Sequence, residues 1–219
     1  MPTIYDKLPL LEKELVKLLH TFVAADGGAF HQWEITIFLP GSNAFIHYMA
    51  GVNNSLKEDN YISTMANLRG LIESLAAVLY DGTAKLPELA YKRFLKKGRL
   101  PKWDNKEQKW VDLGARESID YLQKALDPKI KIKDTYDHCC DFLHFSATHM
   151  SFLGGFSSRI NEKARTLQIQ IGSRDNIPVN KQKEIIDLCT ELATVLGRCV
   201  VLGTEEKNKR KTPKTERSS

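Results

Sequence analysis

The chain has 219 residues, 42% of them hydrophobic and 27% charged, which are globular proportions that exclude disorder throughout and leave room for one domain around one core. The net charge of +5 is concentrated: nine Lys/Arg stand against Glu88, Asp104 and Glu107 over residues 85–110, and six stand against three acids over residues 204–219, so the remainder is net acidic. No apolar run approaches the roughly 20 residues of a membrane span, and residues 1–17 carry Asp6, Glu12 and Glu14 among their leucines, the pattern of a domain helix rather than a signal peptide.

Residues 8–26 are expected to be helical. Leu11, Leu15, Leu18, Leu19 and Phe22 recur at three- and four-residue steps, Pro9 suits a first turn, and Gly27 and Gly28 end it. Over 29–39 the chain is apolar and aromatic, and periodicity alone does not separate a short helix from a strand. Pro40 and Gly41 are expected to stop that segment, and Ser42 to cap a helix reaching Leu56 with Phe45, Met49 and Val52 on one side. Residues 60–80 give the strongest helical pattern, with Met65, Leu68, Leu71, Ile72, Leu75, Ala76 and Leu79 on a broad apolar face. Gly70 in its interior costs about 1 kcal/mol against alanine, which points to the close approach of another helix.

A shorter helix is predicted over 87–97, a loop or marginal hairpin over 98–113, and a helix over 115–126 that stops before Pro128. Asp134 caps a further helix, expected to reach Leu153 before Gly154 and Gly155. Leu167, Ile169 and Ile171 alternate with polar residues, which predicts a strand, and 172–178 supplies turn chemistry. A last amphipathic helix covers 179–201 and is expected to end at Gly203. The fold class is therefore an all-α helical bundle with one small β-hairpin near residues 160–178. One helical domain is expected over 1–203 and a basic disordered tail over 204–219.

Cys139, Cys140, Cys189 and Cys199 include no Cys-x-x-Cys pair, so buried free thiols of a cytoplasmic protein are expected rather than zinc. His138, His144 and His149 are six and five residues apart, on different helix faces, and give no metal site. Glycine-rich phosphate loops, dinucleotide fingerprints and nucleophile elbows are lacking, and no cofactor is expected.

Two constellations carry chemistry. Arg69 and Glu73 are four residues apart and share one face of the 60–80 helix among leucines. The 134–153 helix carries Tyr136, Asp137, Asp141, His144 and Thr148, where an apolar face is due. If the two helices pack together, His144 serves as base, Glu73 as its orienter and Arg69 as a phosphate clamp, with Tyr136 and Asp141 behind them, a set suited to metal-independent RNA cleavage. The bland alternative is an intrahelical salt bridge and a satisfied histidine that only fix helix register. The second constellation mixes cations with aromatics: Lys92, Arg93, Lys96, Lys97, Arg99, Lys102, Trp103, Lys106, Lys109 and Trp110. Phosphate neutralisation plus stacking is how single-stranded nucleic acid is held. A solvated helix face with docked tryptophans is the alternative.

The arrangement Asn-x-Arg-x-x-x-Glu on one helix, followed by Tyr-x-x-Cys-x-x-x-His-x-Ser on a later one, resembles a family of uncharacterised bacterial all-helical proteins near the HEPN group of nucleotide-binding and RNase domains. Arg69, Glu73, Tyr136, Cys140, His144 and Ser146 carry it, over roughly residues 60–172. It implies an all-helical bundle and RNA biology of the antiviral-defence type. HEPN ribonucleases carry an arginine and a histidine on one helix with four to six residues between them, and neither His138 nor His144 has such an arginine before it. The leading expectation is an RNA- or nucleotide-associated domain, with weak ribonuclease action through Arg69, Glu73 and His144. Its rival is a non-enzymatic module that binds a protein partner or a second copy of itself, with no membrane association in either case.

Overall fold

The computed structural model describes residues 4–84, 86–143, 159–161, 166–168 and 177–211. The fold is all-α, with seven α-helices and two small antiparallel hairpins among the described residues. Helix α1 (Lys7–Ala24) runs into a tight turn at Ala25–Gly28, where Asp26, Gly27 and Gly28 have positive φ. The chain then enters a π-helical turn (Glu34–Phe38) that continues directly into α2 (Leu39–Lys57). The ambiguous 29–39 segment is thus largely helical, and the stop expected at Pro40-Gly41 does not occur. A proline ring inside a helix clashes with the carbonyl four residues back. Here the preceding turn is widened, with the Leu39 N–H reaching the Glu34 carbonyl five residues back, and Pro40 falls in the first turn of α2. Ser42, expected as a cap, is instead buried on the helix.

Helix α3 (Tyr61–Ala84) is started by Asn60, whose Oδ1 accepts the Ser63 N–H at 3.0 Å. Helices α4 (Glu88–Lys97), α5 (Ala115–Ala125) and α6 (Ile132–Leu143) follow, and α7 spans Val179–Lys211. The predicted continuation of α6 beyond Leu143 lies outside the described residues. Strands β1 (Pro101–Asp104) and β2 (Lys109–Asp112) pair with Trp103 opposite Trp110. Strands β3 (Arg159–Asn161) and β4 (Thr166–Gln168) pair within the region where one hairpin was expected.

Helix α3 is the hub, touching α2, α5, α6 and α7, while α1 lies against α2 and α7. Its apolar face (Met65, Leu68, Leu71, Ile72, Leu75) is buried in one cluster with Phe45, Met49 and Val52 of α2, Ile119 and Leu122 of α5, Ile132 and Tyr136 of α6, and Cys189 and Leu192 of α7. Each such side chain contributes about 1.5–3 kcal/mol by leaving water. A smaller core of Ile37, Tyr80, Leu86, Ala90 and Tyr91 lies where α4 and the β1–β2 hairpin join the bundle, with Phe94 and Trp110 packed on it.

The close approach expected at Gly70 is present: a Cβ there would lie 2.5 Å from Tyr48 Cζ. Gly41 and Gly51 admit Val78 and Asn67 in the same way, so three glycines set the α2–α3 separation. The helix end expected at Gly203 is a further correction. α7 continues to Lys211, because Gly203 lets the helix pass the Phe22 ring and Lys207 is fully buried beyond it. The proposed tail therefore includes ordered helix over 204–211, and residues 212–219 lie outside the described residues.

Candidate functional site

The α3–α6 contact brings Arg69, Glu73 and Tyr136 together. Arg69 and Glu73 sit one helical turn apart, and Arg69 Nε donates to Glu73 Oε1 at 2.9 Å. The Tyr136 hydroxyl donates to the same oxygen at 2.8 Å across the helix interface. The Arg69 guanidinium carbon lies 5.8 Å from the Tyr136 ring centroid, a cation–π range. The Arg69 and Glu73 side chains keep 28% and 39% of their exposure, so the pair stands at the rim of the core rather than inside it. Tyr136 is buried. Burial, then the hydrogen bond to Glu73, pushes its phenol upward from the ordinary value, and it acts as a donor rather than a base. The Arg69 guanidinium is likewise raised by its bond to Glu73.

Asp137 and His138 of the same helix are engaged elsewhere. Asp137 faces α5, where Arg116 Nη2 lies 2.9 Å away. His138 Nε2 is 3.3 Å from the Tyr61 hydroxyl. Asp141 is exposed on α6, and His144 and Ser146 lie outside the described residues. The thiols of Cys139 and Cys189 are pushed up by burial to about 12, which leaves them protonated and unreactive at neutral pH.

The second constellation folds into a face made by α4 and the β1–β2 hairpin. Six of its eight cations engage carboxylates, so it is not an open run of positive charge. Lys92 pairs with Glu88, Lys102 with Glu117 and Lys109 with Glu107, exposed pairs that neutralise one charge each. Lys96 and Lys106 form no ion pair with the described residues. Arg93, Lys97 and Arg99 converge on a single acid, Asp112, at 2.7, 3.9 and 3.6 Å. One carboxylate under three cations leaves a local surplus of positive charge. The Arg93 hydrogen bond, ahead of the fields of Lys97 and Arg99, holds the Asp112 carboxyl below the usual range. Arg93 Nε is buried with no hydrogen-bond partner.

Beside this cluster the two tryptophans pack edge to face, with ring centroids 5.4 Å apart. Trp110 is anchored on the smaller core, whereas Trp103 is 43% exposed. Asp112 lies two residues after Trp110 on β2, so the strand alternation puts both on one side of the hairpin. Sequence reasoning missed Asp112, which is the organising residue of the face. The signal was available in the Trp-x-Asp spacing, whose period of two is that of a strand.

No group of three or more His, Cys, Asp or Glu residues able to hold a metal ion occurs among the described residues. No helix among them is long and apolar enough to cross a membrane. Set against family models, curated proteins and solved structures, the chain matches none of them. The HEPN-type resemblance therefore rests on the quoted residues alone.

Proposed function

We propose that the chain is a single-stranded RNA-binding helical domain whose binding face is α4 with the β1–β2 hairpin. The observation that carries this reading is the convergence of Arg93, Lys97 and Arg99 on Asp112 beside an exposed Trp103. A surplus of cations takes a phosphate, and an indole standing clear of the core offers a base a stacking platform. The Arg69–Glu73–Tyr136 group is read as a lock between α3 and α6, because both bonds on Glu73 Oε1 come from within the fold.

Fluorescence anisotropy with a labelled oligouridine tests the proposal on the full chain. Binding should weaken steeply with salt, with a slope of about −0.7 per phosphate neutralised. Trp103→Ala should weaken it by roughly tenfold or more, the scale of one lost base stack, and Lys97→Ala with Arg99→Ala should flatten the salt slope. Binding that is absent at low salt, or equal in these variants, overturns the reading. The same oligonucleotide, run on a gel after incubation, reports cleavage, and a cut that disappears in Glu73→Gln would move the α3–α6 cluster from lock to ribonuclease centre.

A further inference from the structure

Glu34 and Lys207 are both completely buried, and neither belongs to the faces described above. Lys207 Nζ lies 3.6 Å from Glu34 Oε2, close enough for an ion pair and too far for a hydrogen bond. It has no hydrogen-bond partner among the described residues. What surrounds it is aromatic: Nζ stands 4.6 Å from the Phe22 ring centroid and 4.1 Å from that of Phe30. Glu34 is held in place from its other sides, by the His31 backbone N–H at 2.9 Å and by Arg210 Nη1 at 3.4 Å. An ammonium has three donors to satisfy. Here it meets two π faces and a carboxylate at a distance, the means by which alkylated and quaternary ammonium groups are recognised.

We propose that Phe22, Phe30 and Glu34 form a binding box for an alkylammonium group, and that its resident ligand is Lys207 of the same chain. Three local features build the box. Phe22 comes from the end of α1 and Phe30 from the segment beyond the Ala25–Gly28 turn, and the π-helical turn carries Glu34, a kind of insertion that recurs at functional sites. Gly203 lies one helical turn before Lys207, and a Cβ there would stand 3.0 Å from Phe22 Cε2. The glycine lets α7 cross the ring closely enough for the lysine to enter. A buried charge is costly unless it is matched, so the fit is to the cation and not only to its aliphatic stem.

Chemical rescue tests this on the full chain. Lys207→Ala removes three methylenes and the ammonium, the atoms of n-propylammonium. The variant should lose roughly 6 °C or more of Tm, and n-propylammonium chloride should restore it in a saturable way. Sodium chloride at equal ionic strength and n-propanol should not. Adding Glu34→Gln should abolish the rescue. Rescue by n-propanol equal to that by the amine, or no saturable rescue, overturns the proposal. If Lys207→Ala does not fold, Lys207→Met decides the matter, since it keeps the stem and removes the charge. A Tm well below that of the parent supports the ammonium box, and a Tm equal to or above it rejects the box.

Discussion

Tyr136 shows how one buried hydroxyl sets the character of the α3–α6 contact. Its hydrogen bond to Glu73 is desolvated on the tyrosine side, whereas the Arg69–Glu73 pair remains open to water. The two interactions should therefore differ in worth. A hydrogen bond to a charged acceptor contributes about 1.5–3 kcal/mol, and solvent at Glu73 moves Tyr136→Phe to the lower end, about 1.5 kcal/mol. A screened ion pair contributes about 0–1 kcal/mol, so Arg69→Ala should cost less than Tyr136→Phe. Urea melts of the two variants check the ranking, and a larger loss for Arg69→Ala would show that the guanidinium is the central member. The i,i+4 pair was legible in the sequence because helical spacing places it. The bridging role of Tyr136 was not, since it depends on which face of α6 meets α3. The Trp-x-Asp spacing could place Asp112 beside Trp110, but not bring Arg93 and Lys97 of α4 and Arg99 just beyond it onto its carboxylate.

At the scale of elements, glycine and proline were read correctly at Gly70, and as helix stops at Gly27-Gly28 and Pro128, but wrongly as stops at Pro40-Gly41 and Gly203. Gly70 announced a close neighbour, and Tyr48 is that neighbour. Pro40-Gly41 and Gly203 looked like stops, yet both lie inside helices, because a π-helical turn makes room for the proline and a passing aromatic ring needs the glycine. Propensity is a local preference of about 1 kcal/mol for glycine, and beyond Gly203 the contacts of Lys207 with Glu34, Phe22 and Phe30 oppose it. The α2–α3 contact offers a clean test. Gly70→Ala gains helix propensity but drives a methyl into the Tyr48 ring, and overpacking costs about 1–3 kcal/mol. Removing the ring should relieve the clash, so Gly70→Ala should be better tolerated in a Tyr48→Ala background than in the parent. A double-mutant cycle by thermal melting reads this coupling, and simple additivity would show that the two residues do not meet.

For the whole molecule, the all-α class and the broad buried face of α3 followed from periodicity, because apolar residues at helical spacing must find a common core. The same core limits the protein at alkaline pH. Cys139 and Cys189 ionise at about 12 in the folded state, against 9.0 for the free thiol. A raised value means that the folded state holds the proton more tightly, so this contribution is complete below pH 9.0 and fades as the pH climbs toward about 12. Each thiol should remove about 1.4 kcal/mol per pH unit above that threshold. The urea midpoint should fall between pH 9 and pH 10.5, less steeply in Cys139→Ala/Cys189→Ala, and a flat profile in the parent would contradict the burial of these thiols. The glycine-lined α2–α3 pair also has a consequence in time. Its helices are joined through Glu58, Asp59 and Asn60, with Asp59 in the left-handed region, so their contacts close a short loop. The α1–α7 pairing instead joins Lys7 to Asp187, 180 residues apart. Loop closure favours the nearer pair. The α2–α3 pair is thus expected to form the folding nucleus and to set the folding rate, while the α1–α7 seam closes late and governs how fast the native state opens.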